Sequence, residues 1–294
     1  MSAVVETREV TKRYRDVVAV DSVSIRLEEG KVYGLLGRNG AGKTTLMSML
    51  TAQEFATSGS IEVFGTTPVE HASALSKIAF IREGQKYPEG FKVRHVLKAA
   101  PWFFPGWDQE FADRLTEAFR LPLKRPMKKL SRGQLSAVGV VVGLASRAPL
   151  TLFDEPYLGL DAAARQLFYD ELLADIAERP RTVLLSTHLI DEVSDLLEHV
   201  IVMDKGRVLV DRDADELRGT AMTVAGKRDA VEAFITGRDV LHRDAIGGLA
   251  TATIADVTEA DRAAATAAGL DLGTVSLQQL FVNITGTPEK GARS

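Results

Sequence analysis

One stretch, residues 32–50, constrains what this chain can fold into more than any other: Val-Tyr-Gly-Leu-Leu-Gly-Arg-Asn-Gly-Ala-Gly-Lys-Thr-Thr-Leu-Met-Ser-Met-Leu. Residues 32–36 are a short apolar run, fit for a buried parallel strand. Residues 37–44 read G-x-x-x-x-G-K-T, the phosphate-binding loop pattern. From Lys43 on, apolar positions recur without Gly or Pro, which predicts a helix. Gly37, Gly40 and Gly42 let the backbone curl and bring its N–H groups against phosphate oxygens. The helix N-terminus adds partial positive charge. Lys43 supplies a full charge for the outer phosphates, and the Thr44 hydroxyl suits Mg²⁺. The bland alternative is a glycine-rich turn that happens to fit the pattern, and the flanking strand and helix weigh against it.

The rest of the chain has to be compatible with a nucleotide here. At 294 residues it has room for one α/β domain and a small second one. Lys+Arg 36 against Asp+Glu 40 gives a net charge of −4, so there is no global basic field and nucleic acid is not expected as the partner. The absence of cysteine excludes disulfides, thiolate catalysis and Cys–zinc sites and fits a cytosolic location. No run of about 18 apolar residues appears, and no signal-peptide pattern opens the chain.

Residues 4–10 and 23–27 alternate as half-exposed strands, with Lys12-Arg13-Tyr14-Arg15-Asp16 read as a basic turn between them. Tyr14 either stacks on an adenine ring or packs on the sheet edge. Residues 59–64 and 77–81 read as further strands. Residues 84–130 then gather prolines and aromatics, among them Phe91, Trp102, Phe103, Phe104, Trp107, Phe111 and Phe119. They predict a helical insertion, with helices at 93–100 and 109–119. Its aromatics either form its own core or expose a docking patch.

Leu130-Ser131-Arg132-Gly133-Gln134 opens a helix to about residue 146. Ser131 suits an N-cap, and a second anion-binding helix N-terminus is the sharper reading. Residues 150–155 form an apolar strand ending in Asp154 and Glu155, placed for Mg²⁺ or a bound water if the strand ends beside the phosphate loop. Asp161 starts a helix to about residue 178. Residues 182–186 are another buried strand, with His188 just beyond the end where parallel sheets hold ligands. Residues 200–203 and 207–210 flank Asp204-Lys205-Gly206 as a hairpin. From about residue 217 the composition shifts to Ala, Thr, Gly and Asp. Strands at 222–225 and 249–254 and helices at 229–236 and 258–268 predict a small α+β appendage. It ends in an amphipathic helix at 275–286 and a polar tail expected to be disordered.

This set of motifs resembles the nucleotide-binding subunit of an ATP-binding-cassette (ABC) transporter, over residues 1 to about 216. The match runs through the phosphate loop, the signature at 130–134, the acidic strand, the loop with Asp161, and His188. The helical segment with Phe104-Pro105-Gly106-Trp107-Asp108 further resembles a bacterial branch encoded with small permeases under repressor control. The 276–286 ending resembles the closure of drug-exporter ATPase subunits. The fold implied is α/β: a P-loop NTPase core (ABC-type ATPase) with an antiparallel β edge and a helical subdomain at about 84–147. Residues 217–294 would be a small C-terminal α+β accessory domain.

The resemblance implies the roles. Tyr14 stacks on adenine. Gly37, Asn39, Gly40, Gly42, Lys43, Thr44 and Thr45 hold the phosphates of ATP, with Lys43 also in the catalytic set. Thr44 and Asp154 hold Mg²⁺, Glu155 polarises the attacking water, and His188 contacts the γ-phosphate. Ser131, Gly133 and Gln134 close over ATP bound by a second ATPase subunit, and Asp161 lies at the subunit contact. A separate transmembrane permease is the other partner. The subunit then sits peripherally at the cytoplasmic face of the membrane, and export is the expected direction. Two positions depart from the pattern. Arg132 stands where a glycine is usual in the signature. Glu83, with Gln85 two residues on, stands where a glutamine normally serves Mg²⁺ and the permease, and is expected as the metal ligand. These departures keep open a low-turnover regulatory subunit. A soluble cassette ATPase acting on ribosomes or DNA is the other alternative.

Overall fold

The computed structural model describes residues 2–286. Their contacts divide into two units, one of residues up to 188 with 201–211, the other of 189–200 with everything from 212 on.

The first unit holds two sheets. β1 (Ala3–Tyr14) pairs antiparallel with β2 (Val17–Val23), β3 (Arg26–Glu28) and, after β4 (Val32–Leu36) and α1 (Lys43–Leu50), with β5 (Ser58–Val63). Lys12–Tyr14 is strand rather than turn: Lys12 faces Val20 and Tyr14 faces Val17, which leaves Arg15-Asp16 as the turn. The alternating Val17–Val23 run recruits the basic segment into the ladder. A short α2 (Ala72–Leu75) leads to β6 (Ile78–Arg82).

The helical insertion follows as α3 (Val93–Phe103) and α4 (Gln109–Ala118), then α5 (Arg132–Ala145), β7 (Leu150–Asp154), α6 (Ala162–Glu178), β8 (Thr182–Thr187) and the β9–β10 hairpin (His199–Asp204, Arg207–Asp213). The second sheet runs β10-β9-β4-β8-β7-β6, and β4, β8, β7 and β6 are parallel. Every residue of β4, β7 and β8 is buried, as their unbroken apolar runs require of strands covered on both faces. All three end at one edge, so the glycine loop, Asp154 and His188 meet there.

In the insertion, α3 buries Val93, Val96, Leu97 and Ala100, and α4 buries Phe111, Ala112 and Leu115. The aromatics divide between the two roles: Phe111 is core, whereas Trp102 and Phe103 are 78% and 67% exposed. At the α4 N-terminus Asp108 caps Phe111 N–H at 2.9 Å and takes the Arg147 guanidinium at 2.9 Å. Arg147 also reaches buried Asp175, which binds Arg181 on its other oxygen. Burial, with Arg147 nearby, lowers the Arg181 pKa to about 10.

The second unit contains α7 (Ile190–Val193), α8 (Ala214–Gly219), β11 (Met222–Lys227), α9 (Arg228–Ile235), β12 (Val240–Ile246), β13 (Leu249–Ile254), α10 (Glu259–Ala267), β14 (Asp271–Thr274) and α11 (Leu277–Gly286). From β11 to β14 the order is β-α-β-β-α-β, and the antiparallel sheet runs β12-β13-β11-β14. That is the ferredoxin-like arrangement. Val224, Ala252 and Ile254 on the sheet pack with Val231, Phe234 and Ala265 from the helices. The sequence reading missed β12 and β14. Both are edge strands with exposed, polar-rich sequences, and the central strands recruit them.

The unit boundary also departs from 216/217. Ala214 N–H donates to Glu198 O at 2.8 Å, His199 Nδ1 lies 2.8 Å from Asp213 Oδ1, and the Arg218 guanidinium donates to Ser194 O. Residues 189–200 therefore group with the C-terminal elements. The polar tail expected after Gly286 lies outside the described residues. Among the described residues, no helix is long and apolar enough to cross a membrane.

Candidate nucleotide-binding site

The loop from β4 to α1 depends on glycine at two points. Gly42 has φ +103°, and a Cβ there would stand 2.4 Å from Ala19 O; a Cβ on Gly37 would stand 2.6 Å from Met203 O. Only glycine lets the loop pass this close to its neighbours and reach the left-handed region. Lys43, buried at 6% exposure, bends back over the loop, and its Nζ donates to Gly37 O at 2.6 Å. A buried ammonium held by carbonyls at a helix N-terminus marks an anion-binding site.

Opposite, Asp154 ends β7. Thr44 Oγ1 donates to its Oδ2 and Ser186 Oγ to its Oδ1, each at 2.7 Å. Ser186 Oγ also accepts the Glu155 N–H at 3.1 Å. Glu155 takes φ 50°, a strained backbone for a non-glycine residue, of the kind that concentrates at functional sites. Its Oε1 lies 3.6 Å from Lys43 Nζ, and its Oε2 lies 2.6 Å from His188 Nδ1. Tyr157 donates to the same Oε2 at 3.0 Å.

A cleft of about 740 Å³ is lined by Asn39, Gly40, Gly42, Lys43, Thr44, Thr45, Asp154, Glu155 and His188, and by Glu83 and Arg132. The phosphate loop, both acids and the histidine thus converge. Tyr14 does not line this cleft; Val17, Val18 and Ala19 of the next strand do. Tyr14 is 41% exposed, with Lys12 Nζ 4.8 Å from its ring centroid.

Ser131, Gly133, Gln134 and Asp161 are also absent from the lining. Ser131 caps α5 in a reciprocal box: its Oγ accepts Gln134 N–H, and Gln134 Oε1 accepts Ser131 N–H, each at 3.2 Å. Asp161 caps α6 through Ala164 N–H at 2.8 Å. Gly133 lies so close to the next loop that a Cβ would stand 2.3 Å from Gly159 O.

The two departures from the family pattern are joined: the Arg132 guanidinium donates to the Glu83 carboxylate. Glu83, expected as a metal ligand, is therefore engaged by a cation. Gln85 Oε1 is buried without a hydrogen-bond partner. The sequence reading missed Ser186 and Tyr157. A serine ending a buried strand and a tyrosine two residues after paired acids were the available signals, but neither is informative without the fold.

Mg²⁺ fits this site. Mg²⁺ bound with a nucleotide is commonly held by one or two protein oxygens plus phosphates, and Thr44 Oγ1 and Asp154 Oδ2 face each other beside the loop. Among the described residues no group of three or more His, Asp or Glu forms a cage of its own.

A parallel sheet whose strand ends present a glycine loop, a buried lysine and two acids defines a nucleoside-triphosphate-binding ATPase. The comparisons with known proteins narrow the class. The ABC transporter family model matches residues 20–158. The Nod factor export ATP-binding protein I of Cupriavidus metallidurans is 31% identical, over 74% of this chain and 73% of its own length. The daunorubicin/doxorubicin resistance ATP-binding protein DrrA of Streptomyces peucetius is 28% identical, over 97% of this chain and 93% of its own. Among solved structures, an ATP-binding subunit of an ABC transporter superposes with a TM-score of 0.66 at 24% identity, covering 73% of this chain and 92% of that one. A dimeric cassette bound to ADP and Pi gives 0.63 at 21% identity, covering 71% and 98%. The chain belongs to the ABC transporter ATP-binding family and is an ATP-binding, ATP-hydrolysing subunit of such a transporter.

Proposed function

We propose that this subunit works as one half of an ATP-closed dimer that drives an export permease at the cytoplasmic face of a membrane. One observation carries the catalytic part: Lys43, Thr44, Asp154, Glu155 and His188 line one cleft, with Glu155 Oε1 turned toward Lys43 Nζ at 3.6 Å. Lys43 and the loop amides bind the phosphates, Glu155 accepts the proton of the attacking water, and His188 holds that carboxylate and faces the γ-phosphate. Thr44 and Asp154 would hold Mg²⁺, which when bound would neutralise charge on the phosphates.

The dimer is supported by what the cleft lacks. The signature residues Ser131 and Gly133 and the Asp161 cap lie off the lining, so a second copy has to supply them to complete the site. Tyr14 is proposed to stack on the base from the cleft rim. Export is supported by the names of the relatives, which include Nod factor export and bacitracin transport proteins. The exposed Trp102 and Phe103 give the insertion an apolar patch suited to the permease.

The test is steady-state ATP turnover of wild type against Glu155→Gln. A fall of about 10²-fold or more is expected for loss of a general base, and equal rates sink the assignment. The Arg132–Glu83 pair favours a second reading, a subunit of low turnover paired with a more active one. A wild-type rate near background that rises on adding a second, different subunit would select it.

A further inference from the structure

We infer that Tyr157 is a positioning residue for hydrolysis: its hydroxyl pins Glu155 Oε2, so that Oε1 faces the cleft and takes the proton of the attacking water. This rests on the assignment of Glu155 as the base.

Tyr157 is buried, at 1% exposure, two residues after Glu155. A phenol oxygen offers one proton and two lone pairs. Thr187 Oγ1 donates to it at 2.9 Å and the His188 N–H at 3.0 Å. Those donors fill its acceptor capacity. Its one proton then has Glu155 Oε2 at 3.0 Å and His188 Nδ1 at 3.2 Å as partners. The carboxylate is the shorter contact and, being charged, the stronger acceptor. Burial pushes the Tyr157 hydroxyl well above its ordinary titration range, so it stays a donor at neutral pH.

Glu155 Oε2 is thus held by Tyr157 and, at 2.6 Å, by His188 Nδ1. The terminal torsion of a glutamate is soft. Two contacts on one oxygen remove that freedom and leave Oε1 beside Lys43. The Tyr157 hydroxyl also ties the acid after β7 to the residues ending β8, so the base and the histidine share one anchor.

The full chain carrying Tyr157→Phe is compared with wild type in ATP turnover, equilibrium ATP binding and thermal melting. The proposal expects kcat to fall about tenfold, as for one lost hydrogen bond to a charged group, with KM for ATP unchanged. Wild-type kcat overturns it. So does a fall in kcat matched by equal loss of ATP binding, which makes Tyr157 scaffold only. Glu155→Gln run alongside separates the two assignments. If that variant keeps wild-type turnover, the base assignment fails. If it loses turnover while Tyr157→Phe keeps wild-type kcat, only the tyrosine's role fails.

Phenylalanine removes the oxygen that accepts from Thr187 Oγ1 and the His188 N–H and can compromise folding. The second variant therefore carries 3-fluorotyrosine at 157, which keeps the hydroxyl contacts and strengthens the donor. Its kcat is expected to change severalfold at unchanged KM and melting temperature, and an unchanged kcat overturns the proposal.

Discussion

Single residues at this site are constrained by backbone approach as much as by chemistry. Gly42→Ala places a methyl 2.4 Å from Ala19 O at a φ of +103°. Strain of about 1–3 kcal/mol is expected, together with a reshaped loop. Nucleotide titration should show ATP affinity weakened at least about tenfold, the equivalent of 1.4 kcal/mol, and a melt should show lowered stability. Asp175 makes a different kind of demand. It is 4% exposed and holds both Arg147 and Arg181. Asp175→Ala leaves two guanidinium groups facing each other without their shared counter-ion, at a cost of about 3–5 kcal/mol. Denaturant unfolding measures it. The glycines and Lys43 were legible in sequence because the loop pattern is local. Asp175 was not: a lone acid in a helix reads as solvated until the fold brings two arginines to it.

At the scale of elements, two contacts tie the insertion and the signature helix to the core. Asp108 is held below the usual carboxylate range by the Phe111 N–H first and by Arg147 after it, against the opposing effect of burial. A lowered folded-state pKa contributes stability that is full above the unfolded value of about 3.9 and is lost as pH falls through the folded one. The melting temperature should therefore lose the Asp108 contribution only below about pH 4. Asp108→Asn should be less stable at neutral pH and flatter on that acid limb, as read by thermal melts across pH.

The Arg132–Glu83 pair is mostly solvent-facing, its side chains 61% and 42% exposed. A double-mutant cycle of Arg132→Gly and Glu83→Gln should give a stability coupling of no more than about 1 kcal/mol. The pair is better placed to affect turnover, since both residues line the nucleotide cleft. Sequence reading recognised each as a departure and could not join them, because 49 positions separate them along the chain.

At the scale of the whole molecule, one chain presents one phosphate loop and one signature, and of that signature Arg132 lines the cleft whereas Ser131, Gly133 and Gln134 do not. Light scattering of Glu155→Gln with Mg-ATP should therefore show a nucleotide-dependent dimer. A persistent monomer that binds ATP would point to a different partner subunit. What the sequence determined by itself was whatever is written in adjacent residues: the glycine loop between strand and helix, the continuous apolar runs of β4, β7 and β8, the cap at Ser131 and the helix start at Asp161. Only tertiary structure decided what depends on distance in space. Parallel pairing of β7 with β8 set Asp154 beside Ser186 and brought Tyr157 to Glu155 and His188. Edge strands with weak patterns of their own were drawn in by their neighbours. The physical reason is the same throughout: local propensity and turn chemistry act within a few residues, whereas burial and hydrogen-bond satisfaction are settled only once remote segments are packed together.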